Sequence, residues 1–285
     1  MRRKLFASFA LIIFILGGCA PPARKPVLIC PGKKSAAESL GLLKVYAEDA
    51  KSIKANGKCL AKIYSEGKAR PHKKNFTVKL WFSPPAEIRL LGNVAFNSRG
   101  IDVGANESEF WLAMKPKEIG NSYFWGRWSD GAGFGKMKIG PDILLDAFGM
   151  AEVDEKISWI LSNEGAYDVL TGRNETDVIV KKIYIYNCDE RIRKIEYFGG
   201  NGEVAVVLEM EEYVDICKGV QVPKIIKVVS FSGGDTEDSF KITLDSVRQQ
   251  DFDEKLRKKL FTRPEPRGFE RKYRIIKGEI IEQTL

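Results

Sequence analysis

The sequence predicts an α+β fold: one large antiparallel sheet with two or three helices laid over its apolar face. Two observations carry this. Apolar residues recur with a period of two, the pattern of strands that bury one face, at Phe76, Val78, Leu80 and Phe82, at Ile88, Leu90 and Val94, at Val204, Val206, Leu208 and Met210, and at Phe240, Ile242 and Leu244. The breaks hold turn signals, Pro84-Pro85, Gly199-Gly200-Asn201-Gly202 and Gly233-Gly234-Asp235, so successive strands are joined by short hairpins and pair antiparallel. A sheet of that length curves, and its concave apolar face needs cover. Where helices fail to fill the space beneath them, an apolar cavity remains.

Taken in order, the chain opens with Arg2, Arg3 and Lys4, an apolar run over residues 5–16, and then Leu16-Gly17-Gly18-Cys19. The run is shorter than the ~20 residues of a bilayer-spanning helix and ends in small residues, which fits a cleaved export signal over residues 1–18 better than a transmembrane anchor. Leu16-Gly17-Gly18-Cys19 resembles the lipobox of bacterial lipoproteins, which implies cleavage before Cys19 and acylation of its thiol. Each buried CH₂ contributes about 0.8 kcal/mol, so a multiply acylated Cys19 is a durable membrane anchor. Residues 19–34, with Pro21, Pro22, Pro26, Pro31 and Gly32 among several lysines, have the composition of a flexible tether.

Ser35 and Glu38 then make a capping box, and Leu40, Leu43, Ala47 and Ala50 recur at helical spacing until Asn56-Gly57, which predicts an amphipathic helix over residues 36–54. From Gly57 the strand period takes over. Residues 140–149 interrupt it with a short, strongly apolar helix that has Pro141 near its start and Gly149 at its end. Strands over residues 179–187, 191–198 and 203–213 form an up-down-up meander, placing the turns that hold Cys188 and Cys217 at one end of the sheet. A Cys188–Cys217 disulfide is therefore expected, with free buried thiols as the alternative.

A chain of 285 residues, 44% hydrophobic, forms a sizeable core, and its folded domain is expected over residues 35–266, with residues 267–285 as a C-terminal extension. Net charge is +8, or +5 once the three basic residues of the export signal are removed. The basic residues are interspersed with acids and accompany no nucleic-acid motif, so weak attraction to anionic head groups is favoured over nucleic-acid binding. Catalytic signatures are missing. The single histidine, His72, sits in a loop-like Arg-Pro-His-Lys-Lys stretch and supports neither a His-based triad nor a multi-His metal site; no C-x-x-C pair suggests zinc. Gly131, Gly133 and Gly135 lack phosphate-loop spacing and read as a hairpin. Asp102, Glu107, Glu109, Asp146 and Asp168 are scattered, with no local signal for a paired-carboxylate hydrolase. No enzyme activity, metal or cofactor is expected.

The order of segments resembles a known family. Residues 78–92 (VKLWFSPPAEIRLLG), 110–116 (FWLAMKP), 123–128 (YFWGRW), 140–149 (GPDILLDAFG) and 246–266 (SVRQQDFDEKLRKKLFTRPEP) are similar in type and sequence to the Lol family of outer-membrane lipoprotein carriers and receptors. The resemblance implies an unclosed antiparallel half-barrel, helices over its concave face, and a hydrophobic cavity that binds acyl chains or a lipoprotein's lipid moiety for transfer or insertion at the outer membrane. It also implies an anchor in the outer membrane with the domain facing the periplasm, since Ala20 stands where an inner-membrane retention signal would place Asp.

Candidates for lining that cavity are Leu80, Phe82, Leu90, Val94, Phe110, Trp111, Phe124, Trp125, Trp128, Leu144, Leu145 and Phe148, with Tyr123 and Phe134 beside them. Apolar identity alone does not separate a lipid pocket from ordinary core. A structural or adaptor lipoprotein that offers the half-barrel to an envelope protein partner is thus the alternative, and an envelope hydrolase is the third reading.

Overall fold

The chain folds around one strand hydrogen-bonded along both edges. In the computed structural model, which describes residues 29–64, 70–94, 97–117, 120–130, 140–151, 156–231 and 237–283, β1 (Ile53–Ile63) pairs antiparallel with its successor and with a strand almost two hundred residues later. To one side lie β2 (His72–Ser83), β3 (Glu87–Val94), β4 (Asn97–Ala105), β5 (Glu109–Met114) and β6 (Ser122–Arg127). The chain then crosses to the far edge and returns through β7 (Ser158–Glu164), β8 (Tyr167–Arg173), β9 (Ile179–Tyr186), β10 (Ile192–Phe198), β11 (Val204–Cys217), β12 (Val220–Phe231) and β13 (Glu237–Gln249). The residues expected to extend beyond the domain add β14 (Arg271–Ile276), parallel to β6, and β15 (Glu279–Glu282). Among the described residues the result is a single unclosed 15-stranded sheet in the order β15-β14-β6-β5-β4-β3-β2-β1-β13-β12-β11-β10-β9-β8-β7, antiparallel except at β14–β6.

Three α-helices occur among the described residues: α1 (Ala36–Asp49), α2 (Pro141–Leu145) and α3 (Glu254–Phe261). Ser35 caps α1, its hydroxyl accepting from the Glu38 amide at 3.3 Å, while the Glu38 carboxylate reaches back to the Lys34 amide at 2.9 Å. The helix stops at Asp49, five residues short of the expected end, and Asn56-Gly57 lies inside β1. Helical spacing loses there to a ladder with partners on both sides: Ile53 and Ala55 turn inward against Phe82 and Leu80. Gly57 sits at a bulge against β13, where a Cβ would collide with the Thr243 carbonyl.

Alternation sorts the sheet into two cores. The inner face packs Leu80, Phe82, Ile88, Leu90, Val94, Leu170, Ile183, Ile185, Leu208 and Ile242 beneath α1 and α2. A smaller outer cluster joins Trp111, Ala113, Tyr123 and Phe269 under the C-terminal segment. Outside, α3 is held by its C-terminal carbonyls: the Arg89 guanidinium donates to Leu260 O at 2.7 Å and grips the buried Asp102 carboxylate at 3.1 and 2.6 Å, which also accepts from the Trp111 indole at 3.0 Å.

The expected Cys188–Cys217 bridge is not formed. Cys188 bonds Cys30, with Cα atoms 5.0 Å apart, while Cys217 and the buried Cys59 are free. The meander is as expected, but β11 overshoots: its last residue paired with β10 is Glu209, opposite Lys194, and Cys217 lies eight residues farther along, roughly 27 Å of extended strand. Burial pushes the Cys59 thiol up to about 12, which makes it inert. Residues 30–34 are likewise not free tether, since the Lys33 amide donates to Asp168 at 2.8 Å and its ammonium pairs with Glu190. The lipobox residues 16–19, Gly131, Gly133, Gly135 and Phe134 lie outside the described residues.

Because the Cys30–Cys188 bond closes a loop with a sequence separation of 158 residues, the Cys30→Ser/Cys188→Ser variant should lose roughly 2–5 kcal/mol of stability in urea unfolding. A loss under about 0.5 kcal/mol would show that residues 30–34 hold to the body without the bridge.

Candidate functional site

The link from β6 to β7 has no short route. These strands lie toward opposite edges of an open sheet, and within the link between them the described residues 140–151, α2 included, pack on its inner side. The sequence makes this crossing piece adhesive. Pro141 starts the helix without wasting an amide, Ile143, Leu144 and Leu145 are buried, and a wider turn over Asp146–Met150 closes on Gly149 at φ +88°, a conformation that favours glycine. Phe148 stacks on Phe82 with ring centroids 5.3 Å apart. The whole forms a lid over the inner face.

A polar latch fastens the lid to the far half of the sheet. Asp146 accepts from the Lys181 ammonium at 2.6 Å and from the Tyr197 hydroxyl, Lys181 and Tyr197 being directly opposed on β9 and β10. Both members of the ion pair are about nine-tenths buried. Lys181 has the inward parity of Ile183 and Ile185, a lone lysine in an apolar row. Burial, reinforced by the Asp146 carboxylate, holds the Tyr197 hydroxyl far above its ordinary pKa. One turn earlier, Asp142 has a carboxylate oxygen sealed from solvent without a hydrogen-bond partner; burial first, then the Asp146 charge, push its pKa up to about 6.

Two spaces meet at this latch. Between α1 and the lid runs a mainly apolar cleft of about 890 Å³, lined by Leu40, Leu43, Ala47, Pro85, Trp128, Leu145 and Met150, with Lys44, Asp142 and Asp146 also on its walls. Beneath the lid a void of only about 80 Å³ lies among Phe82, Phe148, Met210 and Tyr213, again bordered by Asp146. The first is within the ~300–1,000 Å³ range of ligand sites and the second is far below it.

The expected cavity residues therefore separate. Trp128 and Leu145 line the cleft, and Phe82 and Phe148 line the small void. Leu80, Leu90, Val94, Phe110 and Leu144 are packed inner core, and Phe124 is half-buried against it, stacked on Tyr273 at 4.7 Å. Trp111 and Trp125 are corrections: both belong to the outer cluster. Neighbours in a strand face opposite ways, so Phe110 and Trp111, or Phe124 and Trp125, do not share one cavity. Trp125 lies between the Arg263 and Arg274 guanidiniums, 4.3 and 5.1 Å from its ring centre.

The five scattered carboxylates have structural partners: Asp102 holds Arg89, Glu107 and Glu109 face Arg257 and Arg263, Asp146 holds Lys181, and Asp168 accepts from the Lys33 amide and the Asn163 side chain. Asp142 and Asp146 do converge, but the second is bound into the latch. Among the described residues no group of three metal-ligating side chains gathers, and His72 opens β2 opposite Ile63. Lys181, Tyr197 and Asp142 escaped the sequence reading. Their signals were the wrong-parity lysine and two aspartates four apart on an apolar helix.

An unclosed antiparallel half-barrel with a helical lid over an apolar cleft is the LolA-like fold. No protein-family model and no curated protein matches this chain in sequence. Among solved structures it resembles a putative outer membrane lipoprotein-sorting protein domain from Vibrio parahaemolyticus, with TM-score 0.52 and 12% identity over 78% of this chain and 95% of that one. It also resembles a LolA superfamily protein from Nitrosomonas europaea, with TM-score 0.51 and 11% identity over 81% and 99% of the two chains.

Two outcomes follow for the latch. Lys181→Met strands the Asp146 charge and should cost about 3–5 kcal/mol, with much of it regained when Asp146→Asn is added, as measured by urea unfolding. For Asp142 the folded pKa of about 6 exceeds the ordinary carboxylate value, so the folded state binds more protons between about pH 4 and pH 6 and stability falls as pH rises through that window. Asp142→Asn should abolish that fall and raise stability at pH 7, by on the order of 1–2 kcal/mol once partial exposure is allowed for; an unchanged pH profile would place the charge elsewhere.

Proposed function

We propose that this chain is a non-enzymatic carrier or receptor that binds acyl chains, or the lipid moiety of a lipoprotein, in the cleft between α1 and the lid. The observation that carries the reading is that cleft: apolar, ligand-sized, and separated by the Asp146 latch from the apolar interior of the half-barrel. Hydrocarbon binds through area and shape, so Leu40, Trp128 and Leu145 suit it without directed hydrogen bonds. Releasing Asp146 from Lys181 and Tyr197 would join the cleft to the void below and lengthen the site. The solved relatives with this fold are described as outer membrane lipoprotein-sorting and LolA superfamily proteins, which supports the same class.

In this reading residues 1–18 are an export signal, Cys19 is acylated, and the domain faces the periplasm from the outer membrane, tethered by residues 20–29. The adaptor reading draws on the packed inner core, in which Leu80, Phe110 and Leu208 are fully buried and only the void of about 80 Å³ remains under the closed lid.

Titration with a fluorescent fatty acid tests the carrier reading. Saturable binding is expected, and Leu40→Arg, which puts a charge in the cleft from a half-buried position, should weaken it roughly tenfold or more. Val45→Arg, on the exposed side of α1, should leave it unchanged. No binding by the unaltered chain would overturn carriage in favour of the adaptor. Mass spectrometry of the protein extracted from membranes should find a mature N-terminus at Cys19 bearing acyl chains; an unmodified thiol would overturn the anchor.

A further inference from the structure

The outer face of the sheet carries a second feature, separate from the lid and cleft. β1 and β2 contain no aspartate or glutamate, and their outward positions hold Lys54, Lys58, Lys62, Lys73 and Lys79. Like charges are directly opposed in the ladder, Lys54 against Arg248 and Lys62 against Lys73, arrangements that destabilise a sheet unless a counter-charge answers them. α3 lies over the same face and forms the wall of an open groove of about 1180 Å³ that no acidic side chain lines.

Six of the groove's cations, Lys54, Lys79, Arg99, Lys255, Lys258 and Lys259, form no ion pair with a carboxylate among the described residues. Its two paired arginines act as fasteners instead: Arg89 holds the end of α3 and Arg263 is fixed to Glu109 at 2.8 Å, so the wall is fixed in place. Between the cations lie half-buried Trp81, Leu91, Leu256 and Leu260. Flexible amines around an aromatic and aliphatic floor match the head-group region of a bilayer, where lysines meet phosphate and tryptophan prefers the interface.

We propose that this outer face, groove and α3 together, docks on an anionic lipid surface. The apolar cleft lies on the opposite, inner side, so docking leaves the lid pointing away from the lipid and free to move. The choice of lipid over an acidic protein rests on the membrane placement proposed above; the cationic face does not.

The full chain, purified in detergent and reconstituted on vesicles, tests this by amine-reactive labelling read lysine by lysine. On vesicles containing on the order of 30% phosphatidylglycerol, Lys54, Lys79, Lys255, Lys258 and Lys259 should react roughly fivefold more slowly than on pure phosphatidylcholine, with Lys44 and Lys218 unchanged. About 0.5 M NaCl should remove the difference. Lys255→Gln/Lys258→Gln/Lys259→Gln, all exposed and tolerant of exchange, should remove protection of Lys54 and Lys79. Equal labelling on both vesicle types overturns the proposal and leaves the face to an acidic protein. Failure of the anchor reading is distinguishable, because the chain would then leave neutral vesicles while the contrast on anionic ones stays measurable.

Discussion

The pairing of β1 with both β2 and β13 is the constraint from which the rest follows. It fuses an early run of strands and a late one into one open sheet and places the junction in the middle, leaving β6 and β7 near opposite edges. The described part of the link between those strands, residues 140–151, packs on the inner side. A piece of chain that lies over an apolar surface becomes a lid if its packed residues are apolar, and Ile143, Leu144, Leu145 and Phe148 are. Topology thus produces the lid before any specific contact is considered, and the contacts then decide how firmly it sits.

Those contacts combine area with charge. Phe148 on Phe82 and the buried Ile143, Leu144 and Leu145 give the lid general adhesion, while Asp146 with Lys181 and Tyr197 fixes its register. A buried ion pair adds little net stability compared with apolar residues of the same volume, but breaking it on one side is expensive. Such a device favours two discrete states, latched and released, over gradual loosening. Asp142 opposes it from one turn away, its sealed oxygen and the adjacent like charge making the closed lid less comfortable at neutral pH than in acid. The two faces of the sheet divide the labour: the inner one holds core, lid and cleft, the outer one holds α3, a small aromatic cluster and a cationic surface.

Legibility followed the range of the interaction. The strands from Phe76 to Phe82, Ile88 to Val94 and over residues 179–213 were readable because a half-buried strand writes its period into its own residues, and the Ser35 cap and the Pro141 start are equally local. The end of α1 was misread because Ile53 and Ala55 obey neighbours on β2, far along the chain. The Cys188 partner was misread because strand length, not hairpin order, sets where Cys217 arrives. Hydrophobicity alone points Trp111 and Trp125 to the cavity, whereas their strand parity relative to Phe110 and Phe124 puts them on the other face.

By itself, then, the amino-acid order determined the large antiparallel sheet, the positions of β2, β3, β9, β10, β11 and β13, and the apolar crossing helix, since each depends on spacing within a few residues, while the half-barrel class came from the resemblance in segment order. Only the tertiary structure decided that Cys30 meets Cys188, that the interior beneath the lid is filled but for a small void while a cleft opens beside it, that Asp146 finds Lys181, and that lysines from two strands and a helix form one surface. Those facts depend on which distant segments become neighbours, and that is set by strand pairing and the route between sheet edges, neither of which any local pattern encodes.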